Sequence, residues 1–260
     1  MIVCNRPILA FACSLSLLAV HAPTEAAELT IFATGSMADP LEALGEEFTR
    51  ATGHTLRFSV GTTGTVLARL RAGETGDVIV ISDEAAAALE EDGTIVAGTR
   101  RRVASSLFGV VVKATAPKPD VSSPEALAQT VLRARTIAYP DPVAAAVSGG
   151  YIESVFERMG IRDEAKKKAS LKPMGYLVGE AVENGEVELG LSFISEFTAN
   201  PALQVVRFPD ALQRPQPYVA GIFSGTVHAD AARAFIAFVT SADVREKLMA
   251  AGVDPAASLR

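Results

Sequence analysis

The 260 residues carry a formal net charge of −6, 6% aromatic side chains and no tryptophan, which argues against a nucleic-acid groove and against an aromatic platform for sugars or bases. The longest apolar run, Ile8 to Val20, is short of the ~20 residues that a membrane-spanning helix needs. Both cysteines, Cys4 and Cys13, lie in a segment expected to be removed, so the mature chain is expected to form no disulfide.

That segment is read as an export signal, residues 1–26. Asn5-Arg6 gives the positive start, Ile8 to Val20 the apolar run, and "APTEAAELT" a small-residue cleavage zone near Ala26. A lipid-modified Cys13 is disfavoured, because Ala10 stands where leucine is wanted. The mature protein is expected in the periplasm. The short basic runs Arg100-Arg101-Arg102 and Lys166-Lys167-Lys168 read as solvated surface, with no nucleic-acid partner.

Strand and helix patterns then alternate. "ELTIFATG" predicts a strand, and the helix after it carries Leu41, Leu44 and Phe48 at helical spacing. "TLRFSVG" predicts a second strand and leads into a helix with Val66, Leu67 and Leu70. "DVIVIS", ahead of "DEAAAALEEDG", has the continuous apolar run of a parallel strand buried on both faces. The predicted class is α/β.

"SSLFGVVVK" predicts one long strand from Ser105 to Lys113, after which the alternation restarts. A helix capped by Ser123, the strand "TIAYP", a helix closed by Gly160, the helix "YLVGEAVENG" and the strand "VELGLSF" follow. The extended run "YVAGIFSG" comes next, then two helices, the second capped by Ser241. This short C-terminal segment of helices cannot form a separate domain by itself, so the tail is expected to return to the first unit. The result is two lobes, each a mainly parallel sheet flanked by helices, joined by two crossing strands. Lobe one takes residues 27–107 and 221–260, lobe two residues 108–220.

Ligands of open α/β sheets bind beyond the carboxyl ends of the strands, where helix N-termini leave N–H groups unpaired. The positions concerned are Gly35-Ser36, Thr62 to Thr65, Ser148-Gly149 and Met174 to Tyr176, all neutral. Gly64 is followed by Thr65 and Val66, not by the lysine of a phosphate-binding loop. Such a set suits a small anion: a helix end contributes ~0.3–1 kcal/mol, and a hydrogen bond to a charged group ~1.5–3 kcal/mol. Gly61 and Gly64 are expected to let backbone approach the ligand, with Thr63 or Thr65 capping the helix and donating. The same residue types also serve as plain turns and caps. For Ser36 capping alone is the stronger reading, with Asp39-Pro40 a competing helix start.

"ELTIFATGSM", "GTTGTVLARLRAGETGDVIVIS", "DPVAAAVSGGYIESVFERMG", "VELGLSF" and "AFIAFVTSADVREKLMAAG" run in order across essentially the whole mature chain. Together they resemble the type II periplasmic solute-binding proteins of ABC importers, and within these the molybdate-binding branch. The resemblance implies a two-lobed receptor that closes on an oxyanion and delivers it to a membrane permease; the chain is expected to be a monomer without cofactor or metal. Ser36 matches the family's serine after the first strand; Thr63, Gly64 or Thr65 matches its serine at the second junction. Ser148, with Met174 or Gly175, matches its backbone donors. Phe193 stands where the family has a tyrosine, and phenylalanine cannot donate a hydrogen bond. Three outcomes stay open: a molybdate-like oxyanion held with one donor fewer, replacement of the tyrosine by Tyr176, or an organic carboxylate as ligand.

A catalytic alternative comes from "AVSGG", an incomplete nucleophile elbow with Asp210 and His228 following Ser148 in hydrolase order. The stretch between "TIAYP" and Ser148 is long for the sharp turn an elbow needs, so no enzyme is expected. His21 and His54 read as solvated, and no metal-binding His/Cys pattern occurs. An effector-sensing domain of a transcription regulator would need a DNA-binding helix pair, which is not seen before Leu29.

Overall fold

The computed structural model describes residues 26–144 and 147–255; the expected export signal lies outside these apart from Ala26. The apolar run after Ala27 forms β1 (Glu28–Thr34), followed at once by α1 (Gly35–Thr52). The same unit recurs as β2 (Thr55–Gly61) with α2 (Thr63–Arg71) and β3 (Val78–Ser82) with α3 (Asp83–Glu91). β1 lies between β2 and β3, parallel to both. β3 is buried throughout, as its unbroken apolar run requires.

The predicted strand from Ser105 to Lys113 is two strands in different sheets. β4 (Arg101–Ser106) belongs to the first sheet and β5 (Phe108–Lys113) to the second, with Leu107 as the crossing point. Hydrophobic periodicity reports which residues are buried and not which neighbour buries them, so the change of partner leaves no mark in the pattern.

The second sheet continues through α4 (Pro124–Arg133), β6 (Ile137–Pro140), α5 (Val147–Arg158), α6 (Arg162–Lys166), β7 (Ala169–Lys172), α7 (Tyr176–Glu183), β8 (Leu189–Phe193) and β9 (Leu203–Arg207). Ser123 caps α4 as predicted, its side chain accepting from the Ala126 N–H at 3.1 Å. β10 (Gln216–Ile222), α8 (Ala229–Val239), α9 (Arg245–Ala250) and β11 (Val253–Asp254) complete the chain, and both strands pair with β4. The lobe boundary expected at 220 therefore falls inside β10, which enters the first sheet at Gln216. Ser241 lies ahead of α9, whose start carries no side-chain cap.

Strand order is β11-β4-β10-β3-β1-β2 in one sheet and β7-β6-β8-β5-β9 in the other. Both sheets are mixed rather than mainly parallel. β10 runs antiparallel to β3 and β4, and β5 antiparallel to β8 and β9. A strand arriving from the other lobe enters its sheet at the cleft end, where the parallel strands finish, so it must run against them.

The first core lies between that sheet, α1 and the returning helices. Leu41, Leu44 and Phe48 of α1 are buried as their spacing predicts, and Phe48 meets Phe235 of α8 edge to face at 5.3 Å. His54, expected in solvent, is buried instead. Its ring stacks on Phe48, and its Nδ1 accepts the Ala27 N–H at 3.1 Å, so the ring closes the start of the sheet. Phe235→Ala is expected to destabilise the chain by ~3–5 kcal/mol through the cavity it leaves, seen as a lower urea midpoint.

Candidate functional site

Each parallel strand followed by a helix delivers that helix N-terminus to the same edge, and here the edges of the two sheets face each other. Lobe one brings Gly35 and Ser36 from the start of α1 and Thr62 and Thr63 from the start of α2. Lobe two brings Val147 and Ser148 from the start of α5, and Met174 and Gly175 ahead of α7. The cleft between them holds a space of about 30 Å³, room for a water or two.

α1 begins directly at Gly35, and its N-cap, Thr34, makes no side-chain cap bond. Ser36 is thus neither a cap nor displaced by a helix start at Pro40, which lies inside α1. The hydroxyls of Thr34 and Ser36 are buried without a hydrogen bond of acceptable geometry, although both sit close enough to the Tyr218 phenol to influence it. Two buried hydroxyls left over at a cleft are donors available to a solute.

Pro40 has a second consequence. It has no N–H for the carbonyl of Ser36, one helical turn earlier, and that carbonyl accepts from the Ser195 Oγ at 2.7 Å instead. Ser195 belongs to the 3-10 turn Ile194–Glu196 that ends β8, so this bond ties the end of a lobe-two strand to the start of α1. The Ile194 N–H donating to the Leu107 carbonyl at 2.8 Å holds the turn to the crossing point as well.

The turn places Glu196 in the cleft. Its carboxylate accepts from the Ser192 Oγ at 2.5 Å. A Cβ on Gly175 would stand 1.8 Å from its Oε2, and one on Gly35 3.7 Å from its Oε1. The carboxyl therefore takes the space that the missing Gly175 side chain leaves and stands in ordinary contact with Gly35. Burial pushes its pKa up to about 7, and the charge of Asp39 adds to the rise; hydrogen bonds from Ser192 and the Phe193 N–H oppose it. Tyr218 of β10 faces the same space, its phenol held above the ordinary range by burial and by Glu196.

Of the residues read from the sequence, Ser36, Thr63, Ser148, Met174, Gly175 and Phe193 line this cleft. Gly64, Thr65 and Tyr176 are not among its lining residues, and Tyr176 is 44% exposed. The helix cap is Thr62, whose Oγ1 accepts from the Thr65 N–H at 3.1 Å, in place of Thr63 or Thr65. Gly61 borders the cleft and Gly64 does not. Tyr218, whose ring packs edge to face on Phe193 at 6.4 Å, brings a phenol to the same cleft.

Glu196 and Tyr218 were not singled out in the sequence. The rule that found the other loops, applied to the end of "VELGLSF", leads to Glu196. Tyr218 enters on an antiparallel crossing strand that the rule does not cover. The cleft is consequently not purely neutral, as the sequence suggested. The hydrolase triad is not assembled: Asp210 pairs with Arg207 at 3.0 Å, His228 precedes α8, and neither lines the cleft that holds Ser148. Among the described residues no cluster of His, Cys, Asp and Glu is suited to a metal ion, and no helix is long and apolar enough to cross a membrane.

Residues 29–254 match the family described as bacterial extracellular solute-binding protein. An aconitate isomerase from a Pseudomonas species is 30% identical over 234 residues, 87% of each chain. The periplasmic molybdate-binding protein of Azotobacter vinelandii superposes with a TM-score of 0.73 at 21% identity, covering 86% of this chain and 98% of that one. The sulfate-binding protein SubI of Mycobacterium tuberculosis gives 0.71 at 18% identity, covering 88% and 87%. These structures share the two-lobed α/β fold.

The raised Glu196 pKa fixes the sign of a pH effect. Between about 4.5 and about 7 the folded chain keeps a proton that the unfolded chain releases, so this group's contribution falls as pH rises through that window. Glu196→Gln removes the fall: its Tm is expected to exceed that of the wild type by a few degrees at pH ~8 and to match it near pH ~4. Thermal melts at the two pH values check this.

Proposed function

The chain belongs to the bacterial extracellular solute-binding proteins, an exported family, and from that premise we propose that it captures a small organic polycarboxylate between its lobes and hands it to an ABC permease. The observation that carries the choice of ligand is Glu196, an acid among neutral donors. A fully ionised tetrahedral oxyanion, every oxygen an acceptor, suits that carboxyl only while Glu196 keeps its proton. An extended acid can set its carboxylates on the helix N-termini and turn carbon toward Glu196. Val147, Met174 and Phe193 offer apolar surface for such a skeleton. The relatedness to an aconitate isomerase supports the same class, since aconitate is an unsaturated tricarboxylate.

In this reading Ser36, Thr63 and Ser148 donate hydroxyl or backbone hydrogens, Gly175 leaves the room that Glu196 takes beside the ligand, and Tyr218 supplies the phenol. The lobes part to admit the acid and close on it, with the crossings at Leu107 and ahead of Gln216 as hinges. A monomer delivered to the periplasm by a cleaved signal fits this use. A molybdate-like oxyanion is the second reading, favoured by the two unpartnered hydroxyls and by the likeness to molybdate- and sulfate-binding folds.

A thermal-shift and calorimetric comparison of cis- and trans-aconitate and citrate with molybdate, tungstate and sulfate separates the readings. At a hundredfold excess over Kd, a bound acid is expected to stabilise the protein by ~2.7 kcal/mol, a shift of several degrees. A shift with molybdate alone would overturn the carboxylate reading. Ser36→Ala is expected to weaken binding of the acid roughly tenfold, the loss of one charge-assisted hydrogen bond.

A further inference from the structure

Helix starts, hydroxyls and backbone N–H groups favour one anion in this cleft, yet among the described residues that line it no Lys, Arg or His balances a second negative charge. Of those residues Glu196 is the one whose charge changes near neutral pH. It is also held where it stands. The Ser195 bond to the Ser36 carbonyl fixes its turn, the Ser192 Oγ donates to its Oε2 at 2.5 Å, and that oxygen fills the space a Gly175 side chain would need. The ionisable groups that bear on it are Asp39 from α1, an acid whose own pKa burial also raises, and the phenol of Tyr218 from β10. β8 and the start of α7 present Ser192, the Phe193 N–H, Met174 and Gly175, none of which carries charge. β5 and β9 also touch the turn, but Lys113 lies against Gly185 and Arg207 pairs with Asp210 at 3.0 Å. The C-terminal segment meets the turn through Ala251 and Gly252, both uncharged. A carboxyl that cannot turn away and has no cation to meet escapes a second charge by taking a proton.

We propose that the cleft captures its anion together with one proton, and that Glu196 is the group that holds it. The inference rests on the reading of the cleft as an anion receptor, and it applies to a polycarboxylate and to an oxyanion alike. Burial and the charge of Asp39 already push the Glu196 pKa up to about 7, and an anion beside it adds a like charge that raises it further. Below about 7 the carboxyl is protonated before and after capture, so this group gives binding no pH dependence. Above that, ionised Glu196 must gain a proton as the solute enters, so each pH unit weakens binding about tenfold until the pKa of the loaded site is passed. Protonated, the same carboxyl is neutral and adds a donor. Loading is thereby favoured in acidic surroundings and release in alkaline ones.

The test measures binding of trans-aconitate, citrate and molybdate to the mature protein between pH ~6 and pH ~9. Calorimetry in Tris and in HEPES, buffers of different ionisation enthalpy, counts the protons taken up. With an anion that binds, the wild type is expected to take up close to one proton at pH ~8 and to lose affinity about tenfold per unit around that pH. Glu196→Gln keeps the shape of the protonated side chain without its charge. It is expected to take up no proton, to hold a flat affinity and to bind about tenfold more tightly than the wild type at pH ~8. Ionisation of the solute itself enters both proteins alike, so their difference isolates Glu196. Binding by the wild type without proton uptake would overturn the inference and leave the receptor reading standing. Uptake that persists in Glu196→Gln puts the proton on another group and overturns it as well, with Asp39→Asn reporting whether Asp39 is that group. The wild-type proton count decides by itself should the variant fail to fold. Failure of the wild type to bind any of the three anions removes the reading on which the inference stands.

Discussion

A proline that cannot donate one hydrogen bond organises this cleft. The missing N–H of Pro40 leaves the Ser36 carbonyl open, and Ser195 reaches across from the other lobe to fill it. Both partners are buried, so breaking the bond would leave a polar group unsatisfied in the interior. The bond anchors the turn after β8, and with it Glu196, at the start of α1. Thr198, just past the turn, donates to the Ala251 carbonyl at 3.0 Å, so the C-terminal segment fastens the same place. The acid that lines the cleft thus stands close to the crossing at Leu107.

The electrostatics follow from that placement. Helix N-termini and hydroxyls favour negative charge in the cleft, while burial and Asp39 disfavour charge on Glu196 itself. A captured anion adds a further charge of the same sign, so proton position and ligand occupancy are coupled. A receptor of neutral donors lacks this property, which is why the acid bears on ligand class and on proton uptake together. Tyr218 works in the same direction: its buried phenol stays protonated and remains a donor.

Much of the architecture was legible because burial leaves a periodic trace. The helical spacing of Leu41, Leu44 and Phe48, the run Val78 to Ile81 and the Ser123 cap all appear where the pattern put them. Five of the eight candidate residues read from the loops meet at one cleft, because helix starts after parallel strands are bound to lie at a common edge, and Phe193, taken from the family resemblance, joins them. Thr65 and Gly64 failed for a local reason. With Thr62 as cap, the helix turns the residues after Thr63 away from the cleft.

The sequence by itself determined the class of fold, the alternation of its elements and the stock of neutral donors at the strand ends, since each of these depends on neighbours a few residues apart. The tertiary structure decided which sheet claims each half of the apolar run around Leu107, why His54 is buried, and that Glu196 and Tyr218 complete the cleft. Those outcomes hang on contacts between residues far apart in the chain, such as Ser36 with Ser195 and Phe193 with Tyr218. A carboxylate or a phenol carries no mark in the linear pattern of the wall it will face, because that wall exists only once both lobes are folded.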